Sequence, residues 1–268
     1  FRVHVIVSEE TFPETFRDYL AGVLGNDPDD PASGLIGSSM GVGELGLNLF
    51  NETRETVALR RACIHNPELL EKLTGINGAV SPTPTFMVFN PLRTFVEVIN
   101  RDAHGIGDLV VTVMDEQAPI PLMRYATGDR MQLLTQKQIS GVFGLLAAGI
   151  AMPKSPVVAL HGREKDCLPE GVHVDFFKEV LYSNREIARH LTGAHQISAT
   201  RSGWLWQLQL NRKASLPDPD VLENGLRQHL AGTTLGKGID VKVRRYGDFQ
   251  YDFILDFERK FSYLLKNE

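Results

Sequence analysis

The chain is poor in cysteine, with only Cys63 and Cys167 among 268 residues. Two thiols do not make a disulfide framework, so a reducing compartment, the cytoplasm, is the expected setting. Excess positive charge is also missing. Lys and Arg number 28 against 33 Asp and Glu, a formal net charge of −5. That argues against a nucleic-acid backbone or a membrane surface as partner, and leaves small anions such as nucleotides. Long apolar runs are absent too: the most apolar stretch, Ile139 to Met152, falls short of the roughly 20 residues that span a bilayer. No Gly-x-Ser-x-Gly elbow marks a serine nucleophile. The chain opens at Phe1, without methionine, directly in an apolar strand-like run. A domain seldom begins that way, and the expectation is the C-terminal part of something longer.

What is present is an ordinary globular composition, 43% apolar and 23% charged, enough for one large domain or two smaller ones. Phe1 to Val7 reads as a buried strand. Pro13 then opens a helix whose apolar face is Phe12, Phe16, Tyr19, Leu20, Val23 and Leu24, stopped by Gly25. Leu35-Ile36 begins a short strand running into a glycine-rich turn. Thr56 to Leu73 reads as helix, and strands are expected at 86–89, 94–99, 109–114 and 131–134. Beyond Pro156 the pattern changes. Val174, Phe177, Val180 and Leu181 mark a helix, and Asn184 caps a second carrying Ile187 and Leu191. Trp204 to Leu210 alternates as a half-buried strand, Pro217 to Leu230 is helical, and Val241 to Tyr246 is a strand. The fold class is α/β (α+β): a strand-rich part, residues 1–161, followed by a small α+β domain, residues 162–268.

Several motifs fail on context. Gly41-Val-Gly-Glu-Leu-Gly46 has the dinucleotide-binding spacing but neither an evident helix after it nor an acidic residue about twenty positions on. Cys63-Ile-His65 lacks a second ligand pair at zinc-like spacing. His190 and His195, five apart, do not share a helical face. The stretch Pro121-Leu-Met-Arg-Tyr-Ala-Thr-Gly-Asp-Arg-Met-Gln-Leu-Leu134 is more informative. Thr127-Gly128-Asp129 has turn chemistry between two extended segments, and a carboxylate on a rigid turn can also accept hydrogen bonds from two neighbouring ribose hydroxyls.

Order decides between these readings. Ser8-Glu-Glu-Thr-Phe12, Ser39-Met-Gly-Val-Gly-Glu44, Gly107-Asp-Leu-Val-Val111, Leu122-Met-Arg-Tyr-Ala-Thr-Gly-Asp129, Gly162-Arg-Glu-Lys-Asp166 and Gly171 to Leu181 follow one another along the chain. In this succession they resemble the C-terminal half of adenylate-forming enzymes, in the phenylacetate–coenzyme A ligase branch. The resemblance implies the strand-rich part of a large adenylation core followed by a small mobile lid. It also implies a reaction: a carboxylic acid, here an aromatic one, attacks the α-phosphorus of ATP, and a thiol, usually coenzyme A, then displaces AMP.

Site roles follow from the same resemblance. Asp129, within Tyr125-Ala-Thr127-Gly-Asp, would hold the ribose hydroxyls, and Arg163 would reach the ribose or phosphate. Met40, Gly41 and Gly43 would border the nucleotide, and Glu44 would bind Mg2+. Glu9 and Glu10 would lie near the acyl pocket. Lys165 falls at the hinge of the lid. Lys260 would be the catalytic lysine that stabilises charge on the reacting carboxylate and phosphate, with Lys237 its rival. Met40 stands where the family usually has an aromatic, Gly43 where it has a hydroxyl, and Ser8 where it has glycine; the phosphate loop would precede Phe1. These departures leave two alternatives. One is an adenylating enzyme of secondary metabolism with an amine, hydroxyl or carrier-protein acceptor. The other is a non-catalytic nucleotide- or carboxylate-binding protein.

Overall fold

The computed structural model describes residues 2–8, 12–30, 32–42, 46–77, 83–114, 122–146, 150–169, 172–212, 217–233, 238–249 and 263–265. The chain divides into two units, 1–165 and 166–268. The division falls a few residues beyond the expected one because a strand carries His161 and Gly162 into the first unit's sheet.

The first unit runs β1 (Val5–Ser8), α1 (Glu14–Leu24), β2 (Ile36–Val42), β3 (Gly46–Asn51), α2 (Arg54–His65), α3 (Pro67–Thr74), β4 (Thr85–Phe89), β5 (Thr94–Ile99), β6 (Gly107–Val113), β7 (Tyr125–Leu133), α4 (Gln136–Phe143) and β8 (Val157–Gly162). Its strands form one sheet in the order β1-β2-β3-β4-β8-β7-β6-β5. Only β1 and β2 pair in parallel there, and α1 supplies the crossover that a parallel pair requires. The apolar side chains separate into two layers. Leu59, Cys63, Leu70 and Leu73 of the helices pack with Phe86, Val157 and Ala159. Phe50, Met87, Leu109, Met131, Val158 and Leu160 form a second cluster. Alternation along β4 and β8 places their residues in both, as the pleat of a strand buried on two faces requires.

Three local expectations change. The stretch 56–73 is two helices: Asn66 leaves the helical region (φ −139°) and its side chain accepts the Glu68 N–H, with Pro67 opening α3. β1 is an edge strand with Ile6 about half exposed, not a buried one. In α1 the buried positions are Glu14, Arg17 and Ala21, while Val23 and Leu24 are exposed. Arg17 is fully buried because Glu14 and Glu52 neutralise it: Nε and Nη2 donate to Glu14 at 2.9 Å each, and Nη2 to Glu52 at 2.8 and 3.0 Å.

The second unit begins within the single-turn helix Glu164–Asp166 and contains α5 (Asp175–Ser183), α6 (Arg185–Ala188), β9 (Leu191–Thr200), β10 (Gly203–Leu210), α7 (Pro219–Ala231), β11 (Ile239–Arg244) and β12 (Leu264–Leu265). Its sheet order is β11-β10-β9-β12. α7 is the crossover between the parallel strands β10 and β11, and Asp218 caps it. Asn184 caps α6, its side chain accepting from Glu186 and Ile187. That helix stops at Ala188, however, and Leu191 begins β9. Polar residues at His195, Gln196 and Ser198 hide the strand's periodicity from the sequence. Phe177, Leu181, Trp206, Leu208, Leu226 and Val241 fill this unit's core. Among the described residues no helix is long and apolar enough to cross a membrane.

Candidate functional site

Thr127, Gly128 and Asp129 lie inside a strand, not in a turn between two strands. β7 runs unbroken from Tyr125 to Leu133. Its pairing with β6 matches Val110 to Ala126 and Asp108 to Arg130, so Leu109 alone faces the three residues Thr127-Gly128-Asp129. A bulge of this kind bends the strand and re-aims a side chain. Gly128 adopts φ +80°, a region an L-residue enters at a cost. The turn chemistry was therefore real, but the neighbouring strand absorbs it as a bulge.

The bulge presents Asp129, which is only 7% exposed. Its backbone N–H donates to Thr127 Oγ1 at 3.2 Å, which stiffens the bulge from within. At the end of β8, Gly162 pairs with Arg130 and takes φ +82°, directing the next residue toward Asp129. Arg163 Nε donates to Asp129 Oδ1 at 2.8 Å. Asp129 Oδ2 is buried and has no hydrogen-bond partner among the described residues. A buried carboxylate oxygen without a donor is costly, so the arrangement suits a ligand that brings one. Tyr125 and Thr127 are half-buried on the same strand.

Two further polar positions border this strand pair. Burial pushes the His161 imidazole down to about 4, with Asp102 opposing and Arg130 reinforcing the shift, so the ring is neutral at pH 7. Its Nε2 lacks a partner among the described residues. Arg130 is held by Asp108 at 3.1 Å.

The remaining candidate residues are distributed as follows. Met40 and Gly41 lie on β2, with β3, β4 and β8 between that strand and β7. Met40 is half-buried against the cluster that contains Phe50 and Met131. Lys165 is exposed in the single-turn helix at the division between the units. Glu9, Glu10, Gly43, Glu44, Lys237 and Lys260 lie outside the described residues. The structure therefore brings Asp129, Arg163, Tyr125 and Thr127 into one neighbourhood.

Other polar groups have structural roles. Cys63 is buried in the helix layer, and burial pushes its thiol up to about 12. No group of three or more His, Cys, Asp or Glu among the described residues is placed to hold a metal ion. His195 is a core residue, packed on Trp206 and Tyr263, and burial pushes it down to about 4. Sequence reasoning missed the buried charge network in which Arg17 joins Glu14 to Glu52 and Arg60 Nη1 donates to Glu14 at 3.3 Å. Glu52 Oε2 also accepts the Ser38 N–H at 2.7 Å. That network ties α1 and α2 to the β2–β3 hairpin, which carries Met40 and Gly41. The Glu14–Arg17 spacing of three was its one visible signal.

No protein-family model matches the chain, and no curated protein matches it. Solved structures do. A 2-hydroxyisobutyryl-CoA ligase in the postadenylation state, in complex with R3-HIB-AMP, superposes with a TM-score of 0.56 at 12% identity. The alignment covers 98% of this chain and 48% of that one. The same ligase in complex with 2-HIB-AMP gives the same TM-score, identity and coverage. The chain thus has the α/β fold of an adenylate-forming enzyme and spans about half the length of the ligase chains it matches.

Proposed function

We propose that this protein activates a carboxylic acid with ATP as an acyl-adenylate and passes the acyl group to a thiol. The observation that carries the reading is the Asp129 carboxylate: one oxygen is fixed by Arg163 at 2.8 Å and the other is buried without a donor among the described residues. A ribose supplies two adjacent hydroxyl donors to such a group. Arg163 is proposed to assist at the ribose or phosphate through its positive charge. Tyr125 and Thr127 line the same strand, and Met40, Gly41 and Gly43 are the residues proposed to border the nucleotide.

In the first half-reaction a carboxylate oxygen of the acid attacks the α-phosphorus and the bond to pyrophosphate breaks. Lys260 stabilises charge on the reacting oxygens. Glu44 is the residue that would hold Mg2+, whose chemistry is to neutralise the phosphate oxygens. In the second half-reaction a thiolate attacks the acyl carbon and AMP leaves. Coenzyme A is the proposed acceptor, an aromatic acid the proposed substrate with Glu9 and Glu10 near its pocket, and the cytoplasm the proposed setting. Lys165 is the proposed hinge, and 1–161 and 162–268 the proposed core part and lid.

Carboxylate-dependent ATP–pyrophosphate exchange across aromatic and aliphatic acids tests this directly. Exchange with some acids and not others is expected; exchange with none removes the enzymatic reading. AMP release measured with and without coenzyme A then separates a coenzyme A ligase from an enzyme of secondary metabolism with an amine, hydroxyl or carrier-protein acceptor. Met40 motivates a second reading. It packs into the Phe50 cluster and offers no ring for an adenine to stack on, which favours a protein that binds nucleotide or carboxylate without turnover. Tight AMP binding with no pyrophosphate release would select it.

A further inference from the structure

In the second unit β10 and β11 run parallel and α7 joins them. Beyond the C-terminal ends of both strands, at the start of α7, a cavity of about 590 Å3 opens, with Leu210, Pro217 and Pro219 as its apolar lining. The carboxyl ends of parallel strands are where α/β units bind ligands. The volume is that of a small-molecule site, and it is roomy for a bare phosphate or a single benzene ring.

Two of the lining residues are arginines, Arg212 and Arg245. Elsewhere in this unit Arg189 and Arg227 are held by Glu186 and Glu223, and Arg244 donates to Gln207. The Arg212 and Arg245 guanidinium groups have no ion pair or hydrogen bond among the described residues. Arg212 stacks instead on Tyr246, its Cζ 4.0 Å from the ring centroid. The surrounding backbone is fixed by its own hydrogen bonds. Gln209 Nε2 donates to the Tyr246 carbonyl at 2.9 Å, and Asn211 Nδ2 to that of Arg189 at 2.9 Å. The Asp248 and Phe249 N–H groups donate to the Arg245 carbonyl at 3.0 and 3.2 Å. Asp218 also lines the cavity, and one of its oxygens accepts the Asp220 N–H at 3.0 Å. The helix N-terminus is therefore already capped, and the positive charge open to a ligand is that of the two arginines.

We infer that this cavity binds a nucleoside monophosphate. A flat base stacks on the outer face of the Arg212 guanidinium and extends the Tyr246–Arg212 stack. Arg245 pairs with the phosphate, and Asp218 accepts from sugar hydroxyls or a base amine. A ligand with negative charge alone would be opposed by Asp218, and a bare ring would leave Arg245 without a partner, so the lining favours a molecule that carries both. The cavity lies wholly in the second unit and does not depend on the adenylating reading, which places AMP at Asp129 in the first.

Equilibrium dialysis of the full chain against AMP, adenosine and inorganic phosphate, beside thermal unfolding, tests this. Asp129→Asn protein should still bind one AMP, more tightly than adenosine or phosphate. Arg245→Gln should weaken that binding about fivefold to tenfold. Arg212→Lys keeps the charge without the flat face, and should bring AMP down toward phosphate. Gly247 lines the cavity, and a Cβ there meets no atom within 4 Å. Gly247→Phe should therefore fill the cavity and remove one AMP per chain without loss of stability. Arg201, an exposed arginine between β9 and β10, lies outside the cavity, and Arg201→Gln should leave binding unchanged. AMP binding that vanishes in folded Asp129→Asn, that survives Gly247→Phe undiminished, or that falls as much in Arg201→Gln as in Arg245→Gln overturns the inference. Because both sites would take AMP, the Asp129 site is titrated in the Gly247→Phe background; failure to bind there removes the ribose role and leaves this cavity's assignment standing.

Discussion

Replacing Asp129 with asparagine keeps the shape of the side chain and removes its charge. If Asp129 is the ribose ligand, Oδ2 and the remaining lone pair of Oδ1 accept from two hydroxyls. Hydrogen bonds to a charged acceptor are worth about 1.5–3 kcal/mol and neutral ones about 0.5–1.5. The difference, roughly 1–1.5 kcal/mol per bond, gives about 2–3 kcal/mol over two bonds, or about 30- to 150-fold in affinity. The cost to folding is smaller. Arg163 is 25% exposed at its side chain and can turn to water, so the broken pair costs about 1 kcal/mol. Calorimetric titration with AMP, beside thermal unfolding of the same samples, separates the two effects. A folded Asp129→Asn protein that binds AMP within about threefold of wild type, well below the expected loss, would refute the ribose role.

Arg17→Met leaves Glu14 and Glu52 buried without their shared cation and should cost about 3–5 kcal/mol in urea unfolding. Glu14 is buried, but Arg17, Arg60 and Arg61 together hold it below its ordinary value of 4.5. The stabilisation it contributes is therefore present above that value and lost as pH falls through its folded pKa, so the gap between variant and wild type should close in acid. Glu52, pushed up by burial against the pull of Arg17, should protonate earlier and narrow the gap from higher pH. Gly128→Ala meets no atom within 4 Å, so only its φ of +80° opposes it; denaturant unfolding should show a loss of about 1–2 kcal/mol. Lys260→Ala should depress adenylate formation far more than thiol capture of a preformed adenylate, and single-turnover measurements that show equal losses would remove its assigned role.

The legible part of the fold was what local chemistry dictates. Gly25 ends α1 in the left-handed region, Asn184 caps α6, and Trp204 to Leu210 alternates as β10. Each signal lies within a few residues of its effect. Where the signal was contradicted, a partner distant in sequence had intervened. Arg17 reads as surface on any helical wheel, and it is buried because Glu52 comes to it from the end of β3, 35 residues away. Leu191 fits a helical face, but pairing with β10 draws it into β9. Thr127-Gly128-Asp129 reads as a turn, and becomes a bulge only because β6 continues past it.

The same division runs through the candidate site. The sequence by itself determined the residue types and their order: a carboxylate after Thr-Gly, an arginine after Gly162, a Ser-Ser pair before Met40. It also determined the glycines that permit positive φ at 128 and 162. Tertiary structure alone decided that Asp129 Oδ1 meets Arg163 across β7 and β8 while Oδ2 is left without a donor among the described residues, and that Asn48 turns back to Ser39. The physical reason is range. Backbone propensity, capping and alternation act over a few residues, whereas strand register sets which side chains meet across the sheet, and it is settled only when the whole sheet buries its two faces.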